Sequence, residues 1–444
     1  MARPLRIAMF LGTFPVISET FILRQITGLI DLGHWVDLFA NSRPDPSGPV
    51  HPEVTQYRLL ERTVYMEGPA EALEWEMPVY PLAGRTWPPG AETSKHNSIR
   101  LAKALPKLLR CLAKTWPLTR QVLSRSEYGY QAASLSALYR LATLSSVPNR
   151  YDVLHAHFGP VGRSFRFARR LWQAPLCVSF HGYDFSTLPR LEGTSMYHKL
   201  FPTTDAVTVN SRYTRTQVER LGCPSGLIHH LPVGLDLAQF PFQERRINSA
   251  EPVRVLTVGR LVPIKGHEYL IRAVAQIRER GGNVCLDIVG DGPQKEELAS
   301  LIRQLKMDRA IVLHGALDGP GIKRLSDRAH LFVLASVSID GDQEGQGLAL
   351  QEAQASGMPV IATLHGALPE GLLDDESGFL VPERDVSALV ERITYLVTHP
   401  ERWVSLGRKG REFVVKHFDI HKLNHKLIAI YESLIEMQRN GKGE

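Results

Sequence analysis

Short apolar runs alternate with helix-length segments along the whole chain. In the first half the runs are Arg6–Leu11, Trp35–Phe39, Val153–His157, Leu176–Phe180 and Ala206–Asn210. In the second half they are Val253–Val258, Val284–Val289, Ile311–Leu313, Leu331–Leu334 and Pro359–Ala362. Most runs are continuously apolar, which is typical of parallel strands covered by helices on both faces. The pattern therefore predicts an α/β protein with two doubly wound parallel sheets.

A stretch of poor periodicity, Leu237–Pro252, separates the two halves. We accordingly expect a first domain at residues 1–240 and a second at 250–415. Helical periodicity over Glu401–Met437 predicts that the chain ends in helices, with residues 416–444 forming a separate C-terminal segment. The proline-rich region from Pro44 to Ser98 has weak periodicity and yields no prediction.

Composition and charge narrow the possible functions. Of 444 residues, 43% are hydrophobic and 22% charged, as in ordinary globular proteins. The 4 cysteines are widely spaced, which argues against a disulfide scaffold or a zinc site. No apolar stretch approaches the roughly 18–20 residues that span a bilayer, and no signal peptide is evident, so a cytoplasmic location is expected. A net charge of +6 favours an anionic partner, but the basic residues are not interleaved with aromatic ones as nucleic-acid binding would require.

The stretch after the run Leu331–Leu334 is the most informative one. It reads Glu344-Gly-Gln-Gly-Leu348, and a helix that begins near Gly347 and carries Glu352 should follow, ending at Gly357. The free N–H groups and positive dipole end of such a helix form an anion site at the carboxyl edge of a parallel sheet. The alternative is an ordinary βαβ connection with acidic surface residues.

Other strand ends carry further candidates. Arg260 and Lys265 flank a loop closed by Gly266, and both side chains suit phosphate oxygens, although exposed basic residues are often merely solvated. His181 should project into the crevice between the halves, unless it is a structural histidine. Near the first strand, Ser18-Glu-Thr20 could either cap a helix or contact a ligand.

Four motifs together resemble those of the family 4 (group 1) retaining glycosyltransferases of the GT-B fold, and most of all the bacterial enzymes of colanic-acid and amylovoran synthesis. They are Phe14-Pro-x-x-Ser-Glu-Thr-Phe-Ile, His181-Gly-Tyr-Asp184, Gly259-Arg-x-x-x-x-Lys-Gly266, and Glu344-x7-Glu352. The resemblance implies two Rossmann-like domains that face each other across a cleft, with the C-terminal helix crossing back to the first domain.

The resemblance also implies residue roles. Arg260 and Lys265 would bind the donor diphosphate, and Glu352 the ribose hydroxyls. The donor sugar and phosphates would meet His181, Glu344 and the backbone of Gly345, Gln346, Gly347 and Leu348. Gly12 would let the first loop approach the diphosphate, backbone near Ala316 and Leu317 would meet the base, and Glu19 and Asp184 would lie on the acceptor side. Many relatives have an apolar residue in place of Gln346, and Gln354, also a departure, is expected to be an exposed helix position.

The implied reaction is retaining, metal-independent transfer of a hexose from a nucleoside-diphosphate sugar to a lipid-linked oligosaccharide or polysaccharide precursor. UDP-hexose is the first candidate donor and GDP-mannose the second. No metal cofactor is expected, because fixed cations and a helix end can stabilise the leaving group, and Asp340-Gly-Asp342 is a weak metal signal. A sugar-nucleotide epimerase or hydrolase and a catalytically idle binding subunit remain alternatives.

A basic segment without acidic residues lies between Glu92 and Glu127. On a helical wheel its cationic face comprises Lys103, Lys107, Arg110 and Lys114, opposite an apolar face of Leu101, Leu105, Leu108, Leu112 and Trp116. Pro106 and Pro117 are expected to kink and end the helix. The pattern is typical of an interfacial helix at an anionic membrane surface. The alternative is a surface helix whose apolar face lies in the core.

Overall fold

The protein contains two parallel sheets, one in each half, in a computed structural model that describes residues 3–17, 19–45, 50–66, 97–148, 150–248 and 251–440. The first sheet has the order β3-β2-β1-β4-β5-β6-β7 and the second β10-β9-β8-β11-β12-β13. The strands of the first sheet are β1 Arg6–Thr13, β2 Trp35–Ser42, β3 Thr63–Tyr65, β4 Val153–His157, β5 Leu176–Phe180, β6 Ala206–Val209 and β7 Ile228–His230. Those of the second are β8 Val253–Val258, β9 Val284–Val289, β10 Ile311–Leu313, β11 Leu331–Leu334, β12 Val360–Thr363 and β13 Gly378–Val381.

Helices cover both sheets. Those of the first half are α1 Thr20–Asp31, α2 Pro52–Gln56, α3 Asn97–Val122, α4 Arg125–Tyr128, α5 Tyr130–Ala133, α6 Ser136–Ser145, α7 Gly159–Phe165, α8 Ala168–Trp172, α9 Thr187–Glu192 and α10 Arg212–Arg220. Those that follow are α11 His267–Glu279, α12 Lys295–Gln304, α13 Gly319–Arg328, α14 Leu348–Ala355, α15 Val386–Thr398, α16 Trp403–His417 and α17 Ile420–Asn440. The predicted fold class, two Rossmann-like units, is confirmed.

The last helix returns to the first half, as the family resemblance implied. Leu427, Tyr431 and Leu434 of α17 are buried in the core of the first half. The Tyr431 hydroxyl lies 2.5 Å from Nδ1 of His155 on β4. The chain crosses beside the segment that connects the two sheets, because Leu235 donates to the carbonyl of Phe418 (2.6 Å) and accepts from Ile420 (3.0 Å). These two neighbouring crossings form the hinge segment, which we define as residues 231–236 together with 418–420.

Helix α3 agrees with one prediction and departs from another. Non-helical dihedral angles at Thr115 divide it into two helical segments, so the first segment ends two residues before Pro117 and a second runs to Val122. The predicted apolar face is also split: Leu108 packs against the core, whereas Leu105 and Trp116 are 53% and 58% exposed. Of the predicted cationic residues, Arg110 is exposed and the Lys107 ammonium lies 5.3 Å from the ring centre of Tyr139. The side chains of Lys103 and Lys114 lie outside the described part of the structure. Within the described ranges, no helix combines the length and apolarity needed to cross a membrane.

Candidate active site

Glu344, in the loop between β11 and α14, forms an ion pair with Lys265. Oε1 of Glu344 accepts hydrogen bonds from Nζ of Lys265 (2.5 Å) and from Oγ of Ser336 (3.1 Å). Both charged side chains are largely buried, with 18% and 13% exposure for Lys265 and Glu344. Burial favours the neutral carboxyl group, but the charge and hydrogen bond of Lys265, with His365 and Ser336, hold the pKa of Glu344 below its usual value. The Glu344 carboxyl group is therefore ionised at neutral pH.

His365 holds the backbone of the loop before α14 through a hydrogen bond, and sequence reasoning missed this residue. The backbone N–H of Glu344 donates to Nε2 of His365 (3.0 Å), so the proton of a neutral His365 ring must lie on Nδ1. Nδ1 in turn lies 2.9 Å from Oε1 of Glu383, to which it can donate. His365 lies just past the carboxyl end of β12, and this position is the one feature of the sequence that could have indicated a role at the site.

Arg260 and Lys265 follow β8, as predicted. Lys265 ends a 3₁₀ turn, and Gly266, with φ of 60°, begins α11. A Cβ on Gly266 would lie 2.0 Å from the carbonyl oxygen of Ala335, so only glycine permits this close approach to the end of β11. Arg260 is exposed at the rim of the loop. The turn therefore carries one largely buried cation, Lys265, and one exposed cation, Arg260.

The helix end predicted as an anion site is present. α14 begins at Leu348, and Gly347 precedes it in the left-handed region with φ of 81°. Glu352 lies about one turn into the helix and is partly buried. Burial raises the pKa of Glu352 to about 7, against the opposing effect of Arg24 on α1. Glu352 thus faces the first half across the crevice.

His181 lies at the carboxyl end of β5 within a buried group of aromatic rings. Its Nε2 is 3.0 Å from Nδ1 of His157, and the two rings are stacked with centroids 5.3 Å apart. The rings of Phe21 and Phe158 each lie 4.8 Å from the His181 ring. Burial lowers the pKa of His181 to about 3, so the imidazole is neutral at physiological pH.

Two residues assigned to the acceptor side are buried or half-buried. Asp184 accepts hydrogen bonds from the backbone N–H groups of Gly182 (2.8 Å), His181 (3.1 Å) and Gly159 (3.1 Å). This carboxylate shapes the loop that presents His181, and burial raises its pKa to about 6 despite those bonds. Glu19 occupies the N-cap position of α1 without a side-chain capping bond, and burial raises its pKa to about 7. The acceptor role of both residues stays a prediction.

The two glutamines singled out from the sequence are both buried. Gln346 pairs its side-chain amide with the backbone of Val233: Oε1 accepts from the N–H at 2.7 Å, and Nε2 donates to the carbonyl at 2.8 Å. Gln354 donates to the carbonyl of Gly371 (2.7 Å) and accepts from Oγ of Ser377 (3.0 Å). The expectation that Gln354 is exposed was wrong, because it fills a polar gap inside the second half.

The remaining predicted residues have different surroundings. Gly12 is buried within β1, one residue before the strand ends. Ala316 is exposed just after β10, while Leu317 packs against the core of the second half. Asp342, half of the weak metal signal, accepts from Oγ of Ser186 at 2.7 Å. Among the residues that the structure describes, no group of three or more His, Cys, Asp or Glu side chains is arranged to hold a metal ion.

The two halves meet at the candidate site. A Cβ on Gly345 would lie 2.5 Å from the carbonyl oxygen of His181, so the loop of the second half touches the histidine loop of the first. The structure thus brings Lys265, Glu344, Gly345 and His181 together. Lys107, one of the basic residues predicted on α3, packs on Tyr139 of the first half instead.

Comparisons with known proteins agree with this geometry. Residues 240–413 match the family model described as glycosyl transferases group 1, and residues 18–234 match the glycosyl transferase 4-like domain. The chain is 30% identical to the putative colanic acid biosynthesis glycosyltransferase WcaL of Escherichia coli K12, over 97% of this chain and 100% of that protein. It is also 30% identical to a GDP-mannose-dependent alpha-(1-6)-phosphatidylinositol monomannoside mannosyltransferase of Mycolicibacterium smegmatis, over 60% of this chain and 73% of that one. Its fold is similar to that of Anabaena HepE, solved in complex with UDP, with a TM-score of 0.66, 14% identity, and coverage of 97% of this chain and 100% of HepE.

Proposed function

The chain belongs to the group 1 glycosyltransferases, and from that premise we propose that it transfers a hexose from a nucleoside-diphosphate sugar to a lipid-linked oligosaccharide or polysaccharide precursor, with retention of configuration. The observation that carries the proposal is the Lys265–Glu344 pair, which joins the turn before α11 to the loop before α14, where the neighbouring Gly345 approaches His181 of the opposite half. A leaving diphosphate at this place would meet fixed positive charge and a helix N-terminus.

Each residue has a distinct task in this reaction. Arg260, at the rim, and Lys265, inside, stabilise the negative charge that grows on the leaving diphosphate. Glu352 accepts hydrogen bonds from the ribose hydroxyls. His181 is neutral and therefore orients the sugar through a hydrogen bond, without supplying a positive charge.

Glu344 is best assigned to positioning rather than to covalent attack. Its Oε1 is occupied by Lys265 and Ser336, and its lowered pKa makes it a weak nucleophile. We therefore favour a front-face reaction, in which the departing phosphate oxygen takes the proton of the acceptor hydroxyl while that hydroxyl oxygen bonds to the anomeric carbon. The C–O bond to the diphosphate breaks on the same face, and the configuration is retained.

The assay of this function uses the purified protein, UDP-glucose or GDP-mannose, and a polyprenyl-diphosphate-linked glycan as acceptor. We expect release of one nucleoside diphosphate only when acceptor is present, an α-linked product by proton NMR from these α-linked donors, and unchanged rates in excess EDTA. A β-linked product would exclude retention, and loss of activity in EDTA would exclude metal independence. Donor cleavage at the same rate without acceptor would indicate a hydrolase instead.

Two hexose nucleotides, UDP-hexose and GDP-mannose, are the candidate donors. The mannosyltransferase relative carries GDP-mannose in its name, which supports GDP-mannose as a candidate beside UDP-hexose. A thermal-shift series with UDP, GDP and ADP separates the candidates, because the preferred nucleotide stabilises the folded state.

We further propose that the protein acts at the cytoplasmic face of the membrane, bound through α3. Leu105, Leu109 and Trp116 are exposed at 53%, 59% and 58%, unusual for large apolar side chains, and Arg110 is exposed among them. Apolar side chains beside cations fit an anionic lipid surface.

Co-sedimentation with vesicles containing phosphatidylglycerol tests the membrane proposal. Reversing the charge of Lys103, Lys107, Arg110 and Lys114 should abolish binding. The matched control reverses four basic residues on the second half, Arg278, Arg303, Lys306 and Arg309, and should leave binding intact. Equal losses in both variants would show that only overall charge matters.

A further inference from the structure

Gln346 connects the donor loop, Glu344–Leu348, to the hinge segment. Its buried amide makes two hydrogen bonds to the backbone of one residue, accepting from the N–H of Val233 at 2.7 Å and donating to its carbonyl at 2.8 Å. Val233 lies two residues before Leu235, whose backbone pairs with Phe418 and Ile420. The side chain therefore binds the backbone of the connection about which the two halves must move.

The donor loop is fixed at several other points, so displacement at Gln346 cannot be absorbed freely. Glu344 is held by Lys265 and His365. The carbonyl of Gln346 accepts from Nε2 of the buried Gln351 at 3.1 Å. Gly347 is confined as well, because a Cβ there would lie 2.4 Å from Leu368.

We propose that Gln346 is a positioning residue that transmits movement at the hinge segment to the donor loop. When Val233 shifts with the hinge, the paired amide shifts with it and moves Gly345 relative to the carbonyl of His181. The loop then reaches its place beside His181 only when the halves are closed. The inference rests on the proposed function for its catalytic consequence. It also assigns the Gln346 amide to the hinge, and not to selection of the donor sugar.

Gln354 supplies a matched control for this role. It is also a buried glutamine of the second half with two hydrogen bonds, but both partners, Gly371 and Ser377, lie within that half. Gln354→Leu therefore removes similar interactions without touching the hinge segment.

The first test is hydrogen exchange of the free protein, which requires no donor. We expect Gln346→Leu to speed exchange about tenfold or more in peptides covering residues 231–236 and 344–350, since two hydrogen bonds are lost. Gln354→Leu should leave residues 231–236 at the wild-type rate. Wild-type exchange of residues 231–236 in Gln346→Leu, or the same increase in Gln354→Leu, would overturn the proposal.

The second test is kinetic and separates this role from a purely structural one. With the donor identified for the wild type, Gln346→Leu should lower kcat for transfer about tenfold and raise the fraction of donor lost to water. Its Kd for the nucleoside diphosphate should stay within twofold, and Gln354→Leu should keep the wild-type kcat. Unchanged kcat in Gln346→Leu would overturn the coupling. If the wild-type protein transfers no hexose, the proposed function fails, while the exchange result still decides whether Gln346 holds the hinge.

Discussion

At the residue scale, two glutamates of one loop–helix unit have opposite electrostatic environments. Glu344 is buried against Lys265, and its pKa is lowered. Glu352, eight residues later in the sequence, is buried without a comparable cation in contact, and its pKa is raised to about 7. The folded protein therefore favours the ionised form of Glu344 and the protonated form of Glu352.

Glu352→Gln should stabilise the free protein at alkaline pH. Because the pKa of Glu352 rises from 4.5 to about 7 on folding, the folded state binds a proton that the unfolded state has released. The stability from this group is present below pH 4.5 and is lost as pH rises through 7. At pH 8 we expect a gain of about 1–3 kcal/mol by urea unfolding, together with weaker nucleotide binding. A variant that is less stable than wild type at pH 8 would contradict this prediction.

Lys265→Met should lower the free energy of unfolding more than most single substitutions do. It leaves the carboxylate of Glu344 buried without its cation, at a cost of about 3–5 kcal/mol. The double variant Lys265→Met/Glu344→Gln removes both charges and should recover a large part of that loss. Urea unfolding of the two variants measures the difference, and equal destabilisation would show that the pair is not coupled.

At the scale of elements, a carboxylate of the second half caps the N-terminus of helix α10 in the first half. Oε2 of Glu370 accepts from the N–H of Arg212 (2.9 Å), and Oε1 accepts from that of Tyr213 (2.8 Å). A carboxylate at this end is favoured by the helix dipole and satisfies N–H groups that have no partner inside the helix. One acidic side chain thus caps a helix and links the halves.

Glu370→Ala should cost about 1–2 kcal/mol of stability, the usual effect of losing a helix cap. Glu376→Ala provides the control, since Glu376 is an exposed residue nearby in the sequence and should change stability by less than about 0.5 kcal/mol. Chemical denaturation of both variants measures these values. A loss in Glu370→Ala no larger than in the control would contradict the capping role.

Sequence patterns predicted ten strands and missed three of the four edge strands. Six strands, among them Val153–His157 and Val253–Val258, have the predicted bounds, because continuous apolar runs predict buried strands. The missed edge strands, Thr63–Tyr65, Ile228–His230 and Gly378–Val381, have only three or four residues each, too few to show a clear period. At the site, strand ends identified Lys265, Glu344 and Glu352. The pairing of Gln346 with Val233 and the support from His365 depend on distant segments, so no local pattern indicates them.

At the scale of the whole molecule, contacts between the halves cluster around the candidate site. Gly345 approaches the carbonyl of His181, Asp342 accepts from Ser186, and Glu352 is within the electrostatic influence of Arg24. Opening of the cleft would break such contacts, and closing it would exclude water from the reacting sugar. Under the proposed function, closure would accompany donor binding, and Arg260 and Lys265 would form the diphosphate site.

Isothermal titration of wild type and Arg260→Ala with UDP, GDP, UMP and GMP tests this diphosphate site most directly. Arg260 is exposed, so its loss should leave the fold intact. We predict that one diphosphate binds the wild type at a 1:1 ratio and loses about tenfold in affinity in the variant, as expected for one charge-assisted contact. The matching monophosphate should bind the wild type more weakly than the diphosphate does, and its affinity should differ little between the two proteins. Binding of neither diphosphate to the wild type, or equal diphosphate affinity in both proteins, would contradict the account.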